Sequence, residues 1–160
     1  LKQQDEAIKF FKRATVAKPE ATAAYINLGF AYFEKGDYKN AVSAYKKVLE
    51  LEPNRLKAIF KLAEGYQKTG AVDSAILMNQ KAMDIDTASE VPYINIGNYY
   101  LLQHDTATAV FWWEEAAHKQ PLEQLSKNLS LHFQQLGNNE KAEYYRRKAE
   151  EAKGVVIIHR

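Results

Sequence analysis

Residues 24–53 read AYINLGFAYFEKGDYKNAVSAYKKVLELEP, and the spacing inside that stretch decides how the rest of the chain is read. Its first half places Tyr25, Leu28, Gly29 and Tyr32 at offsets 0, 3, 4 and 7, which is one face of an α-helix. Its second half places Ala41, Tyr45 and Val48 at offsets 0, 4 and 7 on a second helix. Gly36 stands between the two, where a residue past a helix end needs the left-handed backbone that glycine adopts without strain. Asp37 follows as an N-cap, and Pro53 stops the second helix because proline has no N–H to continue it. The stretch is helix, tight turn, helix.

The same phrasing recurs along the chain. Ala7, Ala41, Ala75, Ala109 and Ala142 are separated by 34, 34, 34 and 33 residues, and Ala14, Val48, Ala82, Ala116 and Ala149 form a parallel ladder seven residues later. Seven residues is two helical turns on one face, and two small residues stacked there let a second helix approach closely. The leading helices repeat as Ile59, Leu62, Ala63, Tyr66, then Tyr93, Ile96, Gly97, Tyr100, then Ser126, Leu129, Ser130, Phe133. Gly70, His104 and Gly137 occupy the turn of Gly36, with Asp105 and Asn138 as further N-caps. Pro19 and Pro121 match Pro53, whereas Thr87 breaks that ladder.

An aromatic, a leucine-glycine pair and a tyrosine on the first helix, then an alanine, an aromatic and a proline on the second, resemble the tetratricopeptide repeat. The resemblance covers residues 3 to about 153 and departs from the pattern at Asn79 and Arg146, which replace the second-helix aromatic, and at His104. It implies an all-α fold, a right-handed α-solenoid of antiparallel helix hairpins forming a superhelix. The register predicts helices near 4–17, 22–35, 38–52, 56–69, 72–85, 90–103, 106–119, 123–136 and 139–153.

With the leading helix of each repeat called helix A and the second helix B, residues 1–153 divide into a half repeat with helix B only (1–19) and full repeats at 20–53, 54–87, 88–121 and 122–153. Stacked hairpins bury their apolar faces against one another, so an end needs a polar cap or another unit. The face of Ala7, Ile8, Phe11 and Ala14 lacks a helix A in register, which leads us to expect further chain upstream, while charged outer positions between Glu140 and Lys153 make the last unit a cap. Residues 154–160 form a tail with a short β-prone run, Val155 to Ile158.

Composition narrows function. Twenty-two basic and 20 acidic residues are interspersed, so no nucleic-acid footprint is expected. No stretch reaches the eighteen or so apolar residues of a membrane helix, so no membrane insertion by these residues is expected. Without cysteine there is neither a disulfide framework nor a thiolate site, so compartment stays open, cytoplasmic by default. His104, His118, His132 and His159 show no paired metal-ligand spacing, and no phosphate loop or nucleophile elbow occurs. No enzyme activity and no cofactor are expected.

A solenoid of this kind lines its concave side with helix A. The register puts Ile26, Asn27, Phe30 and Phe33 there from the second unit, and Lys57, Phe60, Lys61 and Glu64 from the third. Ile94, Asn95, Asn98, Leu101 and Leu102 follow from the fourth, and Asn128 from the fifth. The apolar members are not demanded by the core ladders, and an uncovered apolar strip of that extent marks a partner surface. The amides suit an extended backbone with free hydrogen-bonding groups. The expected function is a protein–protein interaction module holding a peptide or helix of another protein. Self-association through the open first repeat or the tail is the alternative.

By resemblance, Asn27, Lys57 and Lys61 match three positions with which some co-chaperone relatives clamp a C-terminal carboxylate. Lysine is common on any helix surface, so a solvated face is the preferred reading of these residues. Trp112 and Trp113, beside Phe111, are read as packing at the repeat seam rather than as a ligand cage.

Overall fold

The computed structural model describes residues 2–120 and 122–153; Pro121 and the 154–160 tail with its Val155 to Ile158 run lie outside the described residues. Nine α-helices occur among the described residues: α1 Lys2–Ala17, α2 Thr22–Lys35, α3 Tyr38–Leu51, α4 Leu56–Lys68, α5 Val72–Ile85, α6 Val91–Leu102, α7 Thr106–Lys119, α8 Glu123–Gln135 and α9 Asn139–Lys153. They form an all-α helical repeat fold in two compact units, one up to Thr87 and one from Ala88. In the first unit each helix packs on the next, α1 through α5; in the second, α6 packs on α7 and α8 on α9.

The turns explain the hairpins. Gly36 sits at φ +78° and its N–H reaches back to the Phe33 carbonyl, while Asp37 N–H reaches that of Tyr32. This left-handed cap satisfies carbonyls that the helix end leaves without partners. His104 takes the same place at φ +62°, donating to Leu101 while Asp105 donates to Tyr100. A side chain there is strained, so the repeat geometry overrides the residue's own preference. The next helix then starts on a capped end: Asp37 accepts from Asn40 N–H, Asp105 from Thr108 N–H and Asn138 from Lys141 N–H.

Core positions follow the ladders. Ala41, Ala75, Ala109, Val48, Ala82 and Ala116 are completely buried, as are Ile59, Ala63 and Ile96. Small residues on both helices allow large ones across the seam. A β-carbon added to Gly29 would stand 2.8 Å from the Tyr45 ring, and one added to Gly97 would stand 2.5 Å from Trp113. In the third repeat the leading position is Ala63, and its partner sixteen residues on is Asn79 rather than an aromatic. The fifth repeat pairs Ser130 with Arg146, and Ser130 Oγ donates to the Ala142 carbonyl. The two second-helix positions that lack an aromatic, Asn79 and Arg146, thus fall where the facing helix carries a β-carbon, which leaves less room for a ring. Asn79, fully buried, donates to the Ala75 carbonyl one turn back.

Candidate functional site

The first unit sorts its predicted site residues into two groups. On the α4 side, Ile26 and Phe33 of α2 pack against the cluster of Tyr45, Val48, Ala58 and Leu62. Phe33 also meets the Tyr38 and Tyr45 rings edge-on, at centroid distances of 5.5 and 6.0 Å. Both residues are therefore tied into the core, contrary to the reading that the core does not need them. A ring at position 33 bridges α2, α3 and α4, which residue spacing on α2 alone does not reveal.

Lys61 is committed as well. Its ammonium pairs with Glu64 at 2.8 Å and lies 5.3 Å over the Phe33 ring. The Glu64 carboxylate, after burial as the main cause, raises the Tyr45 hydroxyl to about 12. Lys57 is exposed and Phe60 half-buried on the same helix. With Lys61 countered by Glu64, its charge is already offset toward an incoming carboxylate.

Asn27 and Phe30 go to the other side. With Ala31 and Glu34 of α2 they line a cavity of about 380 Å³ whose opposite wall is Gln3, Gln4, Ala7 and Phe11 of α1. Phe30 is 55% exposed, although the α2 core positions are already filled by Leu28, Ala31 and Tyr32. An Asp5–Lys35 ion pair of 2.6 Å ties α1 to α2. Sequence reasoning did not place Gln4 here. The available signal was Phe11, which holds in α1 the position of Tyr45 in α3.

The second unit places its members on α6 and α8. Ile94 and Asn95 are half-buried, Asn98 is exposed, and Leu101 and Leu102 are exposed at 43% and 58%. Asn128 accepts from Gln124 Nε2 within α8 at 3.0 Å. Trp113 is pressed against Gly97, and Trp112 tilts against Tyr93 with ring centroids 5.9 Å apart. Both therefore pack. A further cavity of about 420 Å³, which the sequence reading missed, lies between α7 and α9. Glu114 on its wall, its side chain only 18% exposed, accepts from Lys141 Nζ at 2.8 Å and from the Tyr145 hydroxyl at 3.0 Å.

Among the described residues no group of three or more His, Asp or Glu side chains is arranged to hold a metal ion. No helix there is long and apolar enough to cross a membrane.

Residues 22–55 match the family model described as tetratricopeptide repeat. Tetratricopeptide repeat protein 13 of Homo sapiens is 30% identical over 135 residues, covering 79% of this chain and 16% of that protein. Small glutamine-rich tetratricopeptide repeat-containing protein 2 of Mycosarcoma maydis is 42% identical over 52 residues, 32% of this chain and 15% of that one. The chain thus spans less than a fifth of the length of these relatives. Among solved structures, a crystal structure of MamA superimposes with a TM-score of 0.75 at 22% identity, covering 94% of this chain and 88% of that one. MamA 41-end from Desulfovibrio magneticus RS-1 does so with a TM-score of 0.71 at 19% identity, over 94% and 85%. These likenesses concern the fold.

Proposed function

The chain is a tandem array of tetratricopeptide repeats, and from that premise we propose that it is a protein–protein interaction module whose helix-A face takes a peptide or helix of another protein. In the first unit the face comprises Asn27 and Phe30 of α2 with Lys57 and Phe60 of α4. In the second it comprises Asn98 and Leu101 of α6 with Asn128 of α8. The observation that carries this reading is Phe30, a large ring more than half exposed on a helix whose core positions are filled, matched in the second unit by Leu101, 43% exposed on α6. Leaving such a ring in water forgoes burial worth about 1.5–3 kcal/mol. A partner surface that covers it recovers that energy.

Affinity capture on the intact chain tests the proposal. Lys57→Glu reverses an exposed charge and leaves the core alone, while Phe60→Ala removes the neighbouring ring. Each is expected to reduce capture of native partners at least several-fold, with the helical circular dichroism unchanged for Lys57→Glu. Capture that is the same for both variants and the parent chain refutes the assignment of this face.

A further inference from the structure

The groove between α7 and α9 carries a chemistry that the helix-A face does not use, and its two walls are built alike. On α7, Phe111 and Glu115 stand four residues apart, and on α9 Glu140 and Tyr144 do the same, so each wall sets a ring and a carboxylate on one helix face. Phe111 is 54% exposed and Tyr144 37%. The space between the walls, about 420 Å³, falls within the range of ligand pockets, roughly 300–1,000 Å³, and has room for one long side chain.

Charge in the groove is unbalanced. Glu114, Glu115 and Glu140 line it against one ammonium, Lys141, which pairs with Glu114 at 2.8 Å. Glu115 has the His118 imidazole 3.6 Å away, and among the described residues neither Glu115 nor Glu140 pairs with a lysine or arginine. Lys141 also shows what such a place favours, since its ammonium holds Glu114 while lying 4.7 Å over the Phe133 ring. Tyr144 likewise attracts Lys148, 5.8 Å over its ring, whereas Phe111 has no cation over it among the described residues.

The repeat does not demand these residues. The positions of Phe111, Glu114 and Glu115 are held by Ser43, Lys46 and Lys47 in α3 and by Leu77, Gln80 and Lys81 in α5. Ser43 and Leu77 are exposed, so the position of Phe111 faces solvent in each of these helices and serves no core. Both walls of the groove belong to consecutive helices B, so a further hairpin stacked on α8 and α9 would meet the far side of α9 and leave the groove open.

We infer that this groove is a second interaction site, on the helix-B side of the second unit, and that it takes an arginine side chain of a basic protein segment. A guanidinium suits it because its plane stacks on an aromatic ring while its fork donates to carboxylates, here Phe111 with Glu115 and Glu140. An acidic segment would meet three carboxylates, and an apolar one would strip water from Glu115 and Glu140 without replacing it.

The test titrates the intact chain with the peptide Ac-Gly-Arg-Gly-NH2 and with its citrulline counterpart, which keeps the planar shape and loses the charge. Isotope-edited NMR reads the backbone amides of Phe111, Glu115, Glu140 and Tyr144. The arginine peptide is expected to shift them, and the citrulline peptide to bind about ten-fold more weakly. Glu115→Gln and Phe111→Ala, both exposed changes, are each expected to weaken the arginine peptide several-fold. Glu20→Gln, at an exposed carboxylate of the first unit, and Lys57→Glu, on the helix-A face, are expected to leave it unchanged.

Equal binding of the two peptides overturns the inference, as do shifts confined to other helices. An equal loss for Glu20→Gln and Glu115→Gln overturns it too, because surface charge alone then accounts for the binding. Tighter binding by Arg160→Gln overturns it by assigning the groove to the chain's own tail. A mass that rises with concentration in light scattering for the parent chain and not for Glu115→Gln overturns it in favour of a second copy.

Discussion

Gly29 of α2 lies so close to the Tyr45 ring of α3 that a β-carbon there would stand 2.8 Å from Cε2 and 3.0 Å from Cζ. Tyr45 is buried, so its ring has nowhere to retreat. Gly29→Ala is expected to destabilise the first unit by about 1–3 kcal/mol, the usual range for overpacking. Gly97→Ala should cost more, since its added carbon meets Trp113 at 2.5 Å and the Ala109 carbonyl oxygen, which is backbone, at 3.0 Å. Urea unfolding of the two variants checks both the sign and the order.

The third repeat carries the same relationship in reverse. Asn79→Tyr, which restores the repeat's aromatic, should destabilise the chain because Ala63 faces it. Asn79→Tyr with Ala63→Gly should recover most of the loss. Equal destabilisation of the single and the double variant would show that the two positions do not share one space.

His104 is held at φ +62° in a turn where its counterparts Gly36, Gly70 and Gly137 lie between +73° and +81°. His104→Gly should therefore raise stability by about 0.5–1 kcal/mol despite the entropy a glycine adds to the unfolded chain, and Gly36→Ala should lower it by about 1 kcal/mol. Thermal melting of each variant provides the comparison.

Asp105 accepts hydrogen bonds from the Thr108 side chain and backbone, which hold its carboxyl below the ordinary value. A depressed folded pKa contributes stability that is present above the unfolded value of about 3.9 and is lost as pH falls through the folded value. Asp105→Asn keeps a capping oxygen and cannot titrate, so the acid limb of its melting curve against pH should be shallower than that of the parent chain, with similar melting near neutrality.

Two tyrosines should stay out of the ordinary alkaline titration. Burial, with Glu64 nearby, puts Tyr45 at about 12, and burial together with the bond to Glu114 raises Tyr145 further. Both folded values lie above the unfolded one, so the stability they supply is complete below about pH 10 and falls as pH rises through the folded values. Ultraviolet difference spectra should show those two phenols ionising together with alkaline unfolding. Tyr145→Phe should remove one of them and cost about 1–2 kcal/mol through its lost bond to the Glu114 carboxylate.

Read alone, the sequence determined the repeat. A period of 34 residues, small residues seven apart and a left-handed turn position are local or periodic features, and each acts through the backbone of a single hairpin. For that reason α2, α5, α7 and α9 begin and end at the predicted residues, and the caps at Asp37, Asp105 and Asn138 form as expected. Only the tertiary structure decided which face residues are free. Ile26 and Phe33 share a face with Asn27 and Phe30 by spacing, yet the first pair is drawn into the α3–α4 packing and the second lines the cavity beside α1. Periodicity assigns a residue to a side of its own helix. What that side meets depends on the length and rotamer of side chains on neighbouring helices, as Gln4, Tyr45 and Glu64 show, and those neighbours come together only when the hairpins pack.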